Sequence, residues 1–383
     1  MKLLAKTLFG LEELLVKELE ALGASHIEPM KRAVSFEGDQ RLLYRANLEL
    51  RTALRILVPI KSFRAQNDHQ LYNKAFKFNW SKYLDNNRTF AIDAVVHSDF
   101  FRHSKYASLR LKDAIVDQFR KHTGQRPSVD TRLPNVRFHL HINGDRINIS
   151  LDSSGDSLHK RGYRVHSVDA PINEVLAAGM ILLSGWQADC DFLDPMCGSG
   201  TIPIEAAMIA HNIAPNLHRP AFGFERWTDF DRALWSDVLQ HAKDQIRTFD
   251  YDIYAFDKDF RAIKACQQNV FSAHLDGKVQ IARKKFENLE GPMRRPSLLM
   301  MNPPYDERLQ QTDIGAFYRS IGDQLKQSFA GCAAWLISSN IAALKQLGLR
   351  PSLKKTLFNG ALECRLHRYE MYEGKGDLVS GEQ

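Results

Sequence analysis

The sequence predicts a mixed α/β protein: a doubly wound parallel sheet in the C-terminal half, finished by an antiparallel hairpin, with smaller α+β modules before it. Three observations carry this. From residue 189 onward, short apolar strands alternate with helical periodicities. Two of those strands run into turn signatures, Asp194-Pro195-Met196-Cys197-Gly198-Ser199-Gly200 and Asn302-Pro303-Pro304-Tyr305. The last two strands are joined at Asn359-Gly360, and so short a link forces an antiparallel pair.

Composition bounds the rest. At 383 residues, 44% apolar and 25% charged, the chain is globular and long enough for two or three domains at roughly 100–200 residues each. No apolar stretch approaches the roughly 18 residues a membrane helix needs. The longest, 175–186, contains Gly179, Ser184 and Gly185. Five acidic and basic residues interrupt 11–22, so no secretory signal and no membrane partner are expected. Five scattered cysteines without a CxxC pair argue against a disulfide framework or zinc site and fit a reducing cytoplasm; no metal is expected. The net charge of +7 divides into +10 over residues 1–165 and −3 over the remainder. A basic N-terminal half suits a polyanion, with a solvated basic surface as the alternative.

In chain order, residues 3–7 read as a strand. Leu11, Leu14, Leu15, Leu19 and Leu22 recur at helical spacing, with Gly23 placed as a C-cap. A strand is expected at 32–36 and a helix at 41–53. Residues 71–84 look helical, 89–96 alternate as a strand, and 107–121 are helical. Val136, Phe138, Leu140 and Ile142 alternate up to Asn143-Gly144, and Ile147, Ile149 and Leu151 alternate after it, which is a hairpin pattern. The polar run 152–172 reads as a connection between domains. Strands follow at 190–193, 251–256, 279–282, 298–301, 333–338, 352–358 and 362–372. Helices are expected at 202–212, 260–273 and 314–328. An aromatic-rich insertion, 214–248, carries Phe222, Phe224, Trp227, Phe230 and Trp235; core packing is expected over a lid.

The glycine turn follows a strand and opens a helix, the ligand-binding edge of a parallel sheet. A dinucleotide fingerprint would place glycine at 203, where Pro203 stands, and a Walker A loop would need a lysine before Thr201. Asp194 beside the turn would repel phosphate. It suits a cationic, zwitterionic ligand, a description that S-adenosylmethionine fits with its ammonium and sulfonium. Asp257, ending the next strand, fits a carboxylate that accepts from ribose hydroxyls. A purely structural strand-to-helix turn is the alternative. Cys197 reads as a small space-filling residue.

Asn302-Pro303-Pro304-Tyr305 ends another strand on the same sheet edge. The prolines stiffen the turn and remove two donors, leaving the Asn302 side-chain oxygen and the Pro303 carbonyl as paired acceptors. Such a pair matches the two N–H groups of an exocyclic base amine, and Tyr305 can stack on the base. Accepting both protons aims the amine lone pair at an electrophilic methyl. A rigid strand-ending loop is the alternative.

At these residues the chain resembles a known family. Asp194–Ala207 (DPMCGSGTIPIEAA), 255–259 (AFDKD) and 302–309 (NPPYDERL) resemble class I methyltransferases that act on exocyclic amines. Residues 151–164 (LDSSGDSLHKRGYR), with Ala170-Pro171, resemble bacterial THUMP-domain RNA methyltransferases of the large-subunit ribosomal RNA guanine-N2 type. The resemblance implies a Rossmann-like methyltransferase sheet preceded by ferredoxin-like and THUMP modules. It divides the chain into 1–60, 61–155, a linker 156–170, and 171–383. It implies S-adenosyl-L-methionine as cofactor and structured RNA, ribosomal first, as partner; the oligomeric state stays open. Asp194, Pro195, Cys197, Gly198, Ser199 and Gly200 match the cofactor loop, and Asp257 with Lys258 the ribose end. Asn302, Pro303, Pro304 and Tyr305 match the target-amine motif, with Asn302 also near the cofactor. The family often has an acid near the adenine amino group, where Lys285 stands here; either Glu287 replaces it or Phe286 and backbone groups hold adenine. No second activity is expected downstream. Lys160, Arg161 and Arg164 are candidates for RNA phosphate contact or for a structural linker. Lys105 and Arg110 are RNA candidates on a helix face that solvation alone would also explain. His139 and His141 are expected at the surface. Adenine N6 or transfer RNA remain alternatives to guanine N2, as does a non-catalytic RNA-binding protein.

Overall fold

The computed structural model describes residues 1–167, 171–291, 294, 297–304 and 314–372. The chain divides into two compact units. The first takes Met1–Thr7, Leu15–Leu158 and Arg219–His241; the second takes Leu8–Leu14, His159–His218 and Ala242–Gln383.

The elements begin β1 (Lys2–Thr7), α1 (Glu12–Ala21), β2 (Ser25–Met30), β3 (Ala33–Glu37), α2 (Gln40–Glu49) and β4 (Ala53–Arg64). They continue α3 (Asp68–Phe76), β5 (Thr89–His97), α4 (Ser104–Thr123), β6 (Ser128–Val129), β7 (Val136–Asn143) and β8 (Arg146–Asp152). The eight strands form one sheet in the order β2-β3-β1-β4-β8-β7-β5-β6. β4 joins the strands of the two expected modules: Leu57 pairs with Leu4 of β1, and Arg64 with Arg146 of β8. No strand is legible there in the sequence, because Pro59 and the register shift beside it interrupt the two-residue alternation.

Three further expectations are corrected. In both hairpins the asparagine stays in the ladder, Asn143 opposite Arg146 and Asn359 opposite Leu362. The turns are therefore Gly144-Asp145 and Gly360-Ala361, with glycine taking the first, positive-φ position at 57° and 64°. His139 is not at the surface. It is buried, and burial pushes its imidazole down to about 3. The insertion does not pack wholly within the second unit: its two ends stay in the second, and its residues 219–241 belong to the first. There Tyr44 stacks on Phe224 at 4.4 Å and meets the edge of Trp235 at 5.8 Å, and its hydroxyl accepts from the Asp231 N–H at 3.0 Å. Core packing is thus what the insertion's aromatics do.

The later elements are α5 (Glu174–Ser184), β9 (Asp191–Asp194), α6 (Thr201–Ala210), α7 (Arg232–Asp244), β10 (Ile253–Asp257) and α8 (Phe260–Ser272). After them come β11 (Gln280–Arg283), β12 (Ser297–Met301), α9 (Ile314–Ser328), β13 (Ala333–Ser338), α10 (Ile341–Lys345), β14 (Leu353–Asn359) and β15 (Leu362–Glu370). The second unit's sheet runs β11-β10-β9-β12-β13-β15-β14, parallel through β13 and antiparallel in its last three strands. Strand order reverses at β9, whose neighbours are β10 and β12. Strand ends at such a reversal open a crevice, so Asp194 and Asn302 flank it by topology alone. Helix α5 is nearly all apolar and buried, and a Cβ on its Gly179 would lie 2.6 Å from the Leu11 side chain. Among the described residues no helix is long and apolar enough to cross a membrane.

Candidate active site

Asp194 closes β9 with its side chain about 1% exposed. Its Oδ1 accepts from the Met196 N–H at 3.1 Å, and among the described residues no cationic side chain pairs with it. Burial pushes its carboxyl well above the usual range; the Met196 N–H opposes that, and Asp257 adds repulsion. A buried carboxylate without a cation is an environment completed by a positively charged ligand.

The loop after it is built to let a ligand approach. Gly198 and Gly200 have φ of 53° and 87°. The Gly200 N–H donates to the Cys197 carbonyl at 2.8 Å, and the Cys197 N–H to the Phe256 carbonyl at 2.9 Å. Asp257 joins the same loop: its Oδ2 accepts from the Gly198 N–H at 3.0 Å and its Oδ1 from the Asp259 N–H at 2.8 Å. Cys197 is buried and free, and its thiol is pushed up by a hydrogen bond with the free Cys266 thiol and then by burial, which leaves it a packing residue.

These groups line a cavity of about 800 Å³ together with Asn302, Pro303 and Pro304. Asp194, Pro195, Cys197, Gly198, Ser199, Asp257, Lys258 and Phe286 all reach it. Gly200 does not; it sits behind the wall, where a Cβ would lie 2.6 Å from the Cys266 Sγ. Asn302 is half-buried, Pro303 buried and Pro304 exposed; Tyr305 lies outside the described residues. Glu287 borders the cavity and Lys285 does not, so the acid and not the lysine is at hand there.

Two contributors were not legible in the sequence. Phe317 of α9 lines the cavity, with the Lys258 ammonium 5.9 Å from its ring. Tyr318, fully buried, bonds Ser338 Oγ at 2.8 Å and donates a long bond of 3.5 Å to the Pro304 carbonyl. That contact engages the Pro304 oxygen, and among the described residues nothing bonds the Asn302 side-chain oxygen or the Pro303 carbonyl. A buried tyrosine on a helix resembles any core residue, so no local pattern marks it.

The basic candidates separate. Lys105 and Lys160 are exposed. Arg110 is half-buried, 4.9 Å over the Tyr72 ring and 3.7 Å from Asp68. Arg161 is buried with its guanidinium 3.4 Å from Glu205 of α6, whose Oε1 also accepts from the Tyr163 hydroxyl at 3.1 Å. Arg164 turns inward as well, onto Glu174, Ser199 and Thr201. Arg161 and Arg164 are thus held by internal carboxylates and hydroxyls, as the structural-linker alternative expects. Deleting one partner of a buried pair strands the other's charge, which costs about 3–5 kcal/mol. Glu205→Ala should accordingly lose most of its denaturation midpoint, measured by urea titration; an unchanged midpoint contradicts this.

Comparison with known proteins gives the family. Residues 161–368 match the RMKL-like methyltransferase domain, 65–152 the THUMP domain and 2–57 the RlmL ferredoxin-like domain. A Synechocystis sp. protein named as a candidate RNA methyltransferase is 39% identical over 365 residues, 95% of each chain. A ribosomal RNA large subunit methyltransferase K/L of Syntrophotalea carbinolica is 39% identical over 375 residues, 95% of this chain and 53% of the relative. The chain thus spans about half the length of that relative. The solved structure of SMU.472 complexed with SAH superposes with TM-score 0.87 at 28% identity, covering 98% of this chain and 99% of the other.

Fold, cavity and matches define an S-adenosylmethionine-dependent methyltransferase. More particularly, the chain belongs to the RMKL-like methyltransferase family, among its THUMP-containing RNA methyltransferases.

The buried Asp194 carboxylate and the glycine cradle fit that cofactor. Burial raises the Asp194 carboxyl and a cationic ligand opposes that by favouring the ionised form, so binding should be coupled to proton release from Asp194. The sign follows. Without ligand, a raised carboxyl binds a proton that the unfolded chain has lost, so stability falls as pH rises above about 3.9, the ordinary aspartate value. Affinity for S-adenosylhomocysteine, whose ammonium supplies the cation, should rise over the same range. Calorimetry in two buffers of different ionisation enthalpy should reveal the released proton, and Asp194→Asn should abolish the buffer dependence.

Proposed function

We propose that the chain methylates the exocyclic amine of a base in structured RNA, with guanine N2 of 23S ribosomal RNA as the target and adenine N6 or a transfer RNA as the alternative. The observation that supports it most is the sharing of one cavity by the Asp194 loop and the Asn302-Pro303 acceptors. The names of the K/L relatives favour ribosomal RNA, and the reducing cytoplasm is the compartment that substrate implies. The division 1–60, 61–155, 156–170 and 171–383 is part of this reading, amended by the transfer of 219–241 to the first unit.

When bound, the cofactor supplies a sulfonium methyl. The chain's own residues do the rest. Asp194 balances the ligand's positive charge, and Asp257 and Lys258 take its ribose end. Phe286 and Glu287 border the adenine end. Asn302 Oδ1 and the Pro303 carbonyl accept the two protons of the amine. An arylamine is a weak nucleophile because its lone pair is delocalised into the ring; holding both protons favours a pyramidal nitrogen and directs the lone pair. The alkylated nitrogen is strongly acidic, so its proton leaves to water and no carboxylate or histidine base is required. The target base must leave its stack to reach the crevice.

Incubation of the purified chain with labelled S-adenosylmethionine and separate ribosomal and transfer RNA from an unmodified source tests the substrate. Label in 23S RNA is expected; label confined to transfer RNA overturns the ribosomal assignment and leaves the reaction standing.

A further inference from the structure

We propose that Arg164 and Asn269 are positioning residues that together fix the cofactor loop at Ser199, resting on the cofactor reading above. Ser199 lies between two glycines in the left-handed region, at 53° and 87°. Glycine has little intrinsic preference there, and the bonds that hold the loop's backbone, from the Gly198 N–H to Asp257 and from the Gly200 N–H to the Cys197 carbonyl, lie on either side of Ser199 and leave its own carbonyl and hydroxyl to other partners. Gly200, the N-cap of α6, contributes no side-chain cap either. The definition has to come from neighbours.

Two residues supply it, one on each polar end of Ser199. Asn269 of α8 is fully buried. Its Nδ2 donates to the Ser199 carbonyl at 2.9 Å and the His166 carbonyl at 2.8 Å. Its Oδ1 accepts from the Val165 N–H at 2.9 Å and the His166 N–H at 3.0 Å. That exhausts the two donors and two lone pairs of a side-chain amide, so its orientation is fixed. Arg164 approaches from the other side. Nη1 donates to Ser199 Oγ at 3.3 Å, and Nη2 to Thr201 Oγ1 at 2.9 Å and the Ile172 carbonyl at 3.0 Å. Nε donates to Glu174 Oε1 at 2.8 Å, which anchors the guanidinium to the first residue of α5. Ser199, Thr201 and Ile172 all line the cavity. The polar stretch that reads as a linker is thereby a brace for the ligand site, and its second arginine serves the cofactor and not the RNA. Only the planar fork of arginine reaches three of these acceptors at once; a lysine ammonium in its place keeps the charge and loses the geometry.

A loop held in its bound conformation before the ligand arrives avoids the ordering cost on binding. Loosening the brace should weaken cofactor affinity with little effect on RNA affinity. The test is calorimetric titration of S-adenosylhomocysteine into the full chain and its Arg164→Met, Arg164→Lys and Asn269→Asp variants. RNA affinity across salt and the melting temperature are measured alongside. The expected result is at least a tenfold weaker S-adenosylhomocysteine affinity in Arg164→Met and Asn269→Asp, an intermediate loss in Arg164→Lys, and RNA affinity within twofold of the parent. Should Arg164→Met not fold, Ser199→Ala, which deletes one bond of the brace, is expected to weaken affinity by about threefold or more. Lowered melting temperatures with parental ligand affinity would overturn the inference in favour of a merely structural role. Weakened RNA binding with a salt slope shallower by about one and ligand affinity intact would overturn it in favour of a phosphate contact. A parent chain that binds no S-adenosylhomocysteine would overturn the cofactor reading itself.

Discussion

Asn302→Ala should lower single-turnover methyl transfer at saturating S-adenosylmethionine by about 10²–10³-fold, the scale for removing one preorganised polar group at a reacting centre. The cause is local. The Pro303 and Pro304 rings hold the backbone of the turn, and the Tyr318 tether restrains Pro304, so the substitution deletes one acceptor and leaves the other in place. S-adenosylhomocysteine affinity should stay within a few-fold, because Asp194 and the glycine loop are untouched. RNA affinity should hardly change. Asn302→Asp makes a sharper case: it keeps an acceptor in the same place and should retain more activity than Asn302→Ala. Equal loss in both would mean that the amide's N–H₂ group, and not its oxygen, matters, and would break the proposed chemistry.

Gly200→Ala should abolish measurable cofactor binding and destabilise the second unit by about 2–4 kcal/mol. Two effects combine. A φ of 87° is strained for any residue with a Cβ, and that Cβ would lie 2.6 Å from the Cys266 Sγ and 3.4 Å from its Cα. The sulfur is fully buried on the inner face of α8, so the loop must shift, taking Ser199 and the α6 N-terminus with it. Adding Cys266→Ala removes the closest contact but not the backbone strain. The double variant should therefore recover part of the stability in urea titration and only part of the ligand affinity. Full recovery would assign the whole effect to the sulfur.

The expectations that held are those written in contiguous residues. Asp194 through Gly200 and Asn302 through Pro304 each combine a strand end with a turn, and the strand-order reversal at β9 brings the two together without further information. Helix α9 and strand β13 begin and end where their apolar periodicity does. What escaped is non-local. β4 was hidden because Pro59 breaks its alternation, although its pairing with both β1 and β8 unites the N-terminal sheet. The aromatics of 219–241 announced a buried cluster but not which unit they pack in, since hydrophobicity carries no address. For Arg161 and Arg164 the sequence left RNA contact and a structural linker equally open, because Glu205, which takes Arg161, and Ser199 and Thr201, which take part of Arg164, lie some 35–44 residues away, while Glu174, Arg164's carboxylate only 10 residues on, carries no local mark of the pairing. Burial of charge is decided by partners that one-dimensional reading does not pair.

The central claim is that paired oxygen acceptors direct an exocyclic amine, and the methylated atom decides it. RNA methylated by the purified chain should be digested to nucleosides and analysed by tandem mass spectrometry against synthetic standards. The account predicts a methyl on an exocyclic nitrogen, N2-methylguanosine first. A methyl on a ring nitrogen, a ring carbon or a ribose hydroxyl would contradict it.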